Sequence, residues 1–354
     1  MLLSAAGLWL VSRESSSSGA RLGEALAAAR VAPLLAAALL GLTAPLLGGT
    51  RLWVLGRHLR PGFRWRDGFL AHLYNAFFGG LTPAGMGGGL GQYYRLRRTG
   101  LPGSQAVAIL AATWVGALSG LVVMGTTAAL YLLARSELFA VGGVFRGLLA
   151  SILVAAAAAF LVVFFPHRVE RWLLGRRPRS RLPRWRRWLA RAGGRYRRSV
   201  SAFVHDGRRA WLLNAACSWL IVLVKCVAGV AVLAALGISA APASAVARQV
   251  LQFAVIYLSP SPGGSGLAEL TALGFMTGLV PPALMAAFAL LWRTTTAYLA
   301  IGVGGIGVAA EQLRHHLRRR GDEPPDRFLR RAAPRPQGAD DGEAGPQAAR
   351  TMGS

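Results

Sequence analysis

The stretch that decides the fold is LTPAGMGGGLGQ, residues 81–92, because it returns later in the chain as LSPSPGGSGLAE, residues 258–269. The two stretches align without a gap, and five of their twelve positions are identical. The identical pairs are Leu81/Leu258, Pro83/Pro260, Gly87/Gly264, Gly89/Gly266 and Leu90/Leu267. Both copies lie within the same order of sequence segments: a segment of mixed polarity, the motif, a short apolar segment and a long apolar run. This shared order favours an internal repeat over chance resemblance between two glycine-rich loops.

Long apolar runs flank both copies of the motif. They cover about residues 26–47, 104–133, 139–165, 211–236 and the stretch from Pro282 to about 308. Residues 1–11 are also apolar but few, and we expect them to form a shortened first helix. The chain is 54% hydrophobic and only 15% charged, and its apolar residues come in blocks, which is typical of membrane spans. The predicted fold class is therefore all-α, a polytopic membrane helix bundle.

The charged residues crowd the segments between the apolar runs, and the formal net charge is +26. The basic segments are residues 51–66, which begin with Arg51, residues 166–210, and the tail after Arg314. Residues 134–138 carry one Arg and one Glu, and residues 237–246 carry no charge. Because basic loops stay on the cytoplasmic side, we expect a multi-pass protein of the inner (plasma) membrane with its basic loops and C terminus in the cytoplasm.

The most basic segment also contains tryptophans. Fifteen arginines lie between residues 167 and 209, interleaved with Trp172, Trp185 and Trp188. Such a pattern occurs in RNA-binding patches, but between membrane spans it favours amphipathic helices lying on anionic lipid. We therefore expect anionic membrane lipids as partners and no nucleic acid. No pattern in the sequence indicates an oligomeric state.

The positions of the two motifs predict that the repeat is inverted. Three predicted spans, an odd number, separate the motifs. The first motif follows a basic loop and so enters from the cytoplasm, whereas the second follows the uncharged residues 237–246 and enters from outside. The predicted organisation is a transmembrane domain over residues 1–310 and a disordered cytoplasmic tail over residues 311–354. Repeat 1 covers about residues 26–133 and repeat 2 about residues 211–308, joined by a basic cytoplasmic linker, residues 166–210.

The composition of both motifs predicts a re-entrant hairpin. Pro83, Pro260 and Pro262 remove backbone donors, and the glycines permit turns that side chains would block. The glycines in question are Gly87, Gly88, Gly89, Gly263, Gly264 and Gly266. Irregular backbone at membrane depth must be buried in protein or line a polar cavity. Two such hairpins bring helix N-termini towards a common site, which favours an anion.

Ionisable residues inside membrane spans are rare, so they are the first candidates for a site. Lys225, Glu269 and Arg293 lie deep in the predicted spans and hairpins, with Arg248 near a boundary. One hypothesis is that Lys225 and Arg293 attract a lipid phosphate while Glu269 balances them or relays a proton. The other is an ion pair of Glu269 with Lys225 or Arg293 that holds the repeats together.

Three amides and a histidine near the hairpins have two interpretations. Asn75, Gln92 and Gln252 either offer hydrogen bonds to a substrate or tie helices together. His72 is interpreted as an interfacial packing residue, because no second metal ligand stands at a suitable spacing. No catalytic triad, phosphate-binding loop or cluster of Cys and His occurs in the sequence. We therefore expect no metal, no cofactor and no enzymatic activity.

The first motif resembles the first signature of the flippase-like transmembrane family, whose domain is shared with lysylphosphatidylglycerol synthases. The resemblance rests on Asn75, Leu81-Thr82-Pro83 and residues 87–92, followed by Tyr93-Tyr94. Residues 259–266 with Glu269 are similar to the second, more specific signature. Many members carry Glu or Gln at the position of Gly89 and Arg at that of Gln92. The likeness extends to about residue 308 and implies the translocating part without the synthase domain.

One function class is favoured over two others by the internal repeat, by the charged residues in the predicted spans and by the resemblance to the flippase-like family. The favoured class is a lipid transporter or flippase that moves a phospholipid or a polyprenyl-phosphate-linked lipid across the inner membrane. A membrane enzyme or accessory protein of lipid or envelope-glycan synthesis is the second class, and would need a carboxylate or His cluster at one membrane face. A non-transporting scaffold that binds a partner through its basic loop is the third.

Overall fold

The computed structural model describes residues 18–82, 85–136, 207–257 and 267–321, and within these ranges it contains helices and no strand. The first half has α1 (Ser18–Ala27), α2 (Val31–Leu59), α3 (Trp65–Leu81), α4 (Met86–Arg98) and α5 (Gly103–Ala134). The second half has α6 (Arg208–Ala235), α7 (Pro242–Tyr257), α8 (Leu267–Met276), a 3₁₀ turn (Pro282–Leu284), α9 (Met285–Arg293), a π turn (Thr294–Tyr298) and α10 (Leu299–Gly321).

Four of these segments are long and apolar enough to cross a membrane. They are Val31–Leu59, Gly103–Ala134, Arg208–Ala235 and Pro282–Leu317. At about 1.5 Å rise per residue, even the shortest of them exceeds the roughly 30 Å of a bilayer's hydrocarbon core. Their many exposed leucines and valines suit contact with lipid acyl chains. The prediction of an all-α membrane helix bundle is confirmed.

Two predicted boundaries are wrong. The first long span does not end near residue 47: α2 continues to Leu59, because Leu52 and Leu55 extend its apolar face and are fully buried. Arg51, assigned to a basic loop by the sequence, is therefore a helical residue. At the other end, α10 runs to Gly321, so residues 311–321 are helical and do not belong to a disordered tail. The chain divides into two compact units, residues 1–309 and 310–354.

The helices of the two halves follow one another in the same order: a long helix, two shorter helices separated by a break, and another long helix. Their opposite orientation in the membrane stays a prediction. The predicted helix over residues 1–11, the span over 139–165, most of the basic linker and the last part of the tail lie outside the described residues.

The most extensive helix pair in the described part joins the first long helix of each half, α2 and α6. These two helices are antiparallel. The backbone N–H of Arg30, just before α2, donates to the carbonyl of Ala235 over 2.8 Å, while Arg51 contacts Ser218, which lies earlier in the sequence of α6. A hydrophobic cluster that includes Val232, Phe288 and Trp292 packs beside this pair. The α2–α6 pair is thus the central axis on which the other helices are placed.

Candidate functional site

The first motif connects two helices that form an antiparallel hairpin. At its tip, the hydroxyl of Thr82 accepts the backbone N–H of Gly87 over 2.8 Å, and Gly85 turns the chain with φ of +65°. At its open end, Arg95 and Asp67 form an ion pair of 3.1 Å. A Cβ at Gly88 would lie 2.8 Å from the carbonyl oxygen of Asn75, so glycine is what permits this approach of the two helices. A helical hairpin is present, and its re-entrance from one membrane face stays a prediction.

Asn75 and Gln92, both predicted to bind substrate, contact each other across this hairpin. The amide Nδ2 of Asn75 donates to Oε1 of Gln92 over 3.0 Å, and Gln92 is only 4% exposed. This is the helix-tying arrangement left open by the sequence. The Nε2 group of Gln92 is buried without a hydrogen-bond partner in the described structure, and substrate binding by either residue stays a prediction.

The helices of the second motif, α7 and α8, are joined by Arg248. Its guanidinium donates to the carbonyl oxygens of Phe275 (3.2 Å) and Thr277 (2.8 Å), at the end of α8. Terminal carbonyls of a helix lack partners within the helix, so a cation from a neighbouring helix satisfies them. Arg248 therefore has a structural role. The tip between α7 and α8, with Pro260, Pro262, Gly263, Gly264 and Gly266, lies outside the described residues, as does Pro83 of the first motif.

Arg51, which the sequence predicts in a loop, lies half-buried between membrane-spanning helices in the structure. Its guanidinium donates to the hydroxyl of Ser218 on α6 over 3.2 Å and approaches the carbonyl oxygen of Thr113 on α5 at 3.5 Å. Asn214, one turn before Ser218, is fully buried and donates to the carbonyl of Ala112 over 2.9 Å. Polar groups from three membrane-spanning helices therefore meet at one level.

Lys225 and Arg293, predicted from their depth in the spans, lie near each other. Lys225 lies within electrostatic range of both Arg293 and Arg51. The ammonium of Lys225 stands 5.8 Å from the ring centre of Phe253, and the guanidinium of Arg293 stands 5.4 Å from that of Tyr298. Cations over aromatic faces are stabilised without a counter-charge. No carboxylate is within ion-pairing distance of Lys225 among the side chains that the structure describes.

His72 belongs to the same interior group. It packs against Gly48 of α2, where a Cβ would collide with its imidazole ring, and the charges of Arg51 and Lys225 both act on it. From its sequence context, His72 was predicted to be an interfacial packing residue. The structure agrees that it packs closely, and adds that it stands among the cations. Nδ1 of His72 is buried with no hydrogen-bond partner in the described part of the chain.

A π turn follows Arg293 directly. The three threonines of this turn donate their hydroxyls to carbonyls of the preceding turn, and the one from Thr296 to Trp292 is 2.6 Å long. A Cβ at Gly41 of α2 would collide with the carbonyl oxygen of Thr295. Single π turns within α-helices occur often at functional sites, because the extra residue redirects side chains. Here the turn and Gly41 fix the position of Arg293 relative to α2.

Buried amides complete the polar interior. Gln249 is fully buried, and its Oε1 accepts the indole N–H of Trp292 over 3.1 Å. It fits only because Gly229 of α6 leaves room for it. Gln252 is also fully buried on α7. Glu269 lies near the start of α8, and its side chain lies outside the part of the chain that the structure describes.

The arrangement of spans, hairpins and interior cations can be compared with known families. A family model described as the transmembrane region of lysylphosphatidylglycerol synthase matches residues 1–304. The chain belongs to the lysylphosphatidylglycerol synthase transmembrane-region family. The match covers both hairpin motifs and all the interior cations, and it confirms the resemblance seen in the sequence. A comparison with curated proteins gave no match. As a member of this family, the chain is a multi-pass membrane protein, and its membership fits a role related to membrane lipids.

Sequence reasoning found Lys225 and Arg293 but missed Arg51. The missed signal is the run LWVLG, residues 52–56, which continues the apolar pattern of α2 after Arg51. An arginine followed by five more residues of an apolar helix lies inside the span rather than at its end. No local signal marked the π turn, apart from three consecutive threonines at residues 294–296.

Proposed function

We propose that this protein transports a lipid across the inner membrane, and that the lipid headgroup is received by the interior cations Arg51, Lys225 and Arg293. The observation that carries the proposal is the position of these three cations within membrane-spanning helices of both halves. In this proposal the protein is a transporter and not an enzyme, and it acts on a phospholipid or a polyprenyl-phosphate-linked lipid.

The energetics of the membrane favour a functional role for these cations. A charged side chain at the centre of a transmembrane helix opposes membrane insertion by about 2.5–3.5 kcal/mol on insertion scales. Each of the three side chains adds this free-energy cost of insertion. Apolar residues of similar size would pack at the same positions without it. Interior cations in a membrane bundle mark the route of a substrate or ion by default.

The same contacts are compatible with a purely structural role, and the two roles differ in what a substitution removes. Arg51 joins α2 to α5 and α6, so its loss weakens packing in either case. Lys225 offers a cleaner distinction, because its described contact is a ring face rather than a hydrogen bond. If the role is functional, neutralising Lys225 removes transport while the folded protein remains.

The proposed orientation of the protein in the membrane follows from the positions of its exposed basic residues. The exposed arginines beyond the end of α2, Arg60 and Arg64, would face the cytoplasm and the anionic lipids of that leaflet. Such contacts attract lipids to the protein surface, whereas the interior cations act on one headgroup at a time.

The test is transbilayer lipid movement in reconstituted vesicles. Labelled phosphatidylglycerol would be placed in one leaflet, and its appearance in the other followed by accessibility of the headgroup to a membrane-impermeant reagent. We expect faster movement with the wild type than in protein-free vesicles, and slower movement with Glu269→Gln. If no lipid class moves faster than in protein-free vesicles, the transport proposal is wrong. If the variant equals the wild type, Glu269 has no part in transport.

A further inference from the structure

Two corners of the chain lie side by side at the open end of the first hairpin. One corner, residues 60–64, joins α2 to α3, and the other, residues 99–102, joins α4 to α5. A single hydrophobic cluster holds them together, because Phe63 of the first corner and Leu101 of the second are both buried in it. The position of one corner relative to the other is therefore fixed by packing.

Arginine side chains of the two corners meet at Gly100. This residue turns the chain with φ of +85°, and a Cβ on it would lie 2.8 Å from Nη1 of Arg60. Nη1 of Arg97 donates to the carbonyl oxygen of the next residue, Leu101, over 2.6 Å. Because neighbouring α-carbons are about 3.8 Å apart, the two guanidiniums belong to one small surface. We call Arg60, Arg97 and Gly100 the corner patch.

The positive charge of the corner patch is not balanced by a nearby carboxylate. Between residues 51 and 103 the only acidic residue is Asp67, which forms an ion pair of 3.1 Å with Arg95. Arg60 and Arg97 are both exposed, and no carboxylate of the described residues is within ion-pairing distance of either. Two like charges held in one place repel each other, and an anion between them replaces this repulsion by attraction.

Aromatic side chains place the corner patch at the level of the lipid headgroups. Trp65, the first residue of α3, is 40% exposed, and Tyr94 of α4 is 50% exposed. Exposed tryptophan and tyrosine are enriched at the boundary between the hydrocarbon core and water. Arg98, one turn after Tyr94, has its guanidinium 5.7 Å from the centre of that ring. A third exposed cation therefore lies in the same aromatic layer.

The chemistry of arginine indicates which anion this surface fits. Guanidinium groups donate parallel hydrogen bonds to phosphate oxygens, and such charge-assisted bonds are stronger than neutral ones. At the level of the headgroups, the anionic lipids of the membrane supply phosphate at high density. The exposed rings of Trp65 and Tyr94 suit the glycerol and upper acyl region of the same lipid. A lipid phosphate is therefore the occupant that both the charge and the position favour.

We propose that the corner patch binds the phosphate group of an anionic membrane lipid, which stays on the protein as a resident lipid. The phosphate accepts hydrogen bonds from Arg60 and Arg97 together, and so connects the two corners at the open end of the first hairpin. This lipid is distinct from a transported one, because Arg60 is nine residues beyond Arg51 along the chain, a rise of about 13 Å in helical geometry. Its role is to stabilise the fold.

The test measures how lipids change the melting temperature of the full chain in detergent. Phosphatidylglycerol, phosphatidylcholine with the same acyl chains, and glycerol phosphate would be added separately at equal concentrations. We expect phosphatidylglycerol to raise the melting temperature by about 2–4 °C or more, because a ligand of the folded state stabilises it by mass action. Phosphatidylcholine should raise it less, since its choline group brings a positive charge to the arginines. Glycerol phosphate, which lacks acyl chains, should not raise it.

Substitutions connect the stabilisation to the corner patch. Arg60→Gln and Arg97→Gln should each remove most of the shift caused by phosphatidylglycerol, and Arg60→Lys should keep more of it. The lipid-induced shift is compared rather than the melting temperature itself, because Arg97 also binds the carbonyl of Leu101. If Arg97→Gln does not fold, Arg60→Gln still gives the answer, since the side chain of Arg60 makes no hydrogen bond with the described residues.

Arg135→Gln is the matched control. Arg135 is exposed and, like Arg98, has its guanidinium near the ring of a tyrosine four residues earlier, 5.8 Å from the centre of Tyr131. It follows the end of α5 that is opposite to the corner patch, and it is the only basic residue between residues 99 and 145. This variant should keep the full shift caused by phosphatidylglycerol.

The outcomes separate the resident lipid from the transport function. Equal shifts in the wild type, Arg60→Gln and Arg97→Gln would overturn the assignment, as would an equal loss of the shift in Arg135→Gln. An equal effect of phosphatidylcholine would show that the lipid's charge is not recognised, and an equal effect of glycerol phosphate would show a site for a free anion. Each of these results would contradict the resident lipid and leave transport intact. Failure of transport in vesicles would leave the resident lipid intact.

Discussion

The guanidinium of Arg51 donates a hydrogen bond to the hydroxyl of Ser218 over 3.2 Å, and this contact joins the first long helix of one half to that of the other. The same guanidinium lies 3.5 Å from the carbonyl oxygen of Thr113. Three membrane-spanning helices thus meet at a single permanent cation. The contact sets the level of α2 against α6.

Replacing Arg51 tests whether this cation acts on a substrate. Arg51→Gln keeps a hydrogen-bond donor for Ser218 but removes the charge, so we expect transport of phosphatidylglycerol to fall by about tenfold or more. Arg51→Lys should retain more activity because it keeps the charge. Rates in vesicles are the measurement, with elution from a sizing column as the check of folding.

Arg57→Gln is the control for this experiment. Arg57 is on the same helix but exposed, with its guanidinium 5.5 Å from the ring centre of Trp53. It should transport at the wild-type rate. Equal rates for Arg51→Gln, Arg57→Gln and the wild type would limit Arg51 to a structural role.

Whether the sequence predicts a residue of this site depends on the residues that surround it in the chain. Lys225 and Arg293 were found because each stands in the middle of a long apolar run, where a charge is conspicuous. Arg51 was missed because further basic residues follow it in the sequence. The end of the predicted span was therefore placed before Arg51, the first of these residues. Only the continuation of α2 through Leu52 and Leu55 shows that the helix ends later.

The contact between Gly41 and the π turn gives a prediction about the position of Arg293. A Cβ at Gly41 would collide with the backbone oxygen of Thr295, which cannot rotate away as a side chain can. We expect Gly41→Ala to lower the free energy of unfolding by about 1–3 kcal/mol, the usual range for overpacking, and to slow transport. Thermal unfolding in detergent measures the first effect.

Gly302→Ala is the matched substitution, since nothing lies within 4 Å of a Cβ at that position of α10. It should leave both stability and transport near the wild-type values. An unchanged melting temperature for Gly41→Ala would show that α2 and the π turn are not in contact.

The hydrogen bond between Asn75 and Gln92 is expected to stabilise the first hairpin. Asn75→Ala leaves the buried amide of Gln92 without this partner, and Gln92→Ala does the same to the half-buried amide of Asn75, so each should destabilise the protein by about 1–3 kcal/mol. The double variant should lose less than the sum of the two. A double-mutant cycle from denaturation in detergent measures the coupling, and strict additivity would show that the two amides do not interact.

Gly229 and Gln249 provide a similar prediction for the second half. A Cβ at Gly229 would collide with Oε1 of Gln249 and displace it from the indole N–H of Trp292. We expect Gly229→Ala to destabilise the protein and to shift the emission of its tryptophans. Gly125→Ala on α5 is the control, because a Cβ there meets nothing within 4 Å. An unshifted emission in both variants would contradict the assigned contact.

The two hairpins show the other limit of sequence reasoning. Proline and glycine at residues 81–92 mark a break between helices, and the structure places a helical hairpin there. The partners across it could not be read from the motif, because the pairing of Asn75 with Gln92 depends on the antiparallel register of α3 and α4. Arg248 likewise has no local signal, since its acceptors are on another helix.

In the proposed function, a lipid headgroup enters the interior of the bundle at Arg51, Lys225 and Arg293. Photo-crosslinking tests it most directly, with phosphatidylglycerol that carries a diazirine on its glycerol headgroup, in vesicles with the full chain. We expect the headgroup probe to label α6 around Lys225, and excess unlabelled phosphatidylglycerol to suppress this labelling. A probe with the diazirine at the end of an acyl chain should label the exposed residues of the spans instead. Labelling of the exposed residues alone by the headgroup probe would show that the headgroup does not enter the bundle.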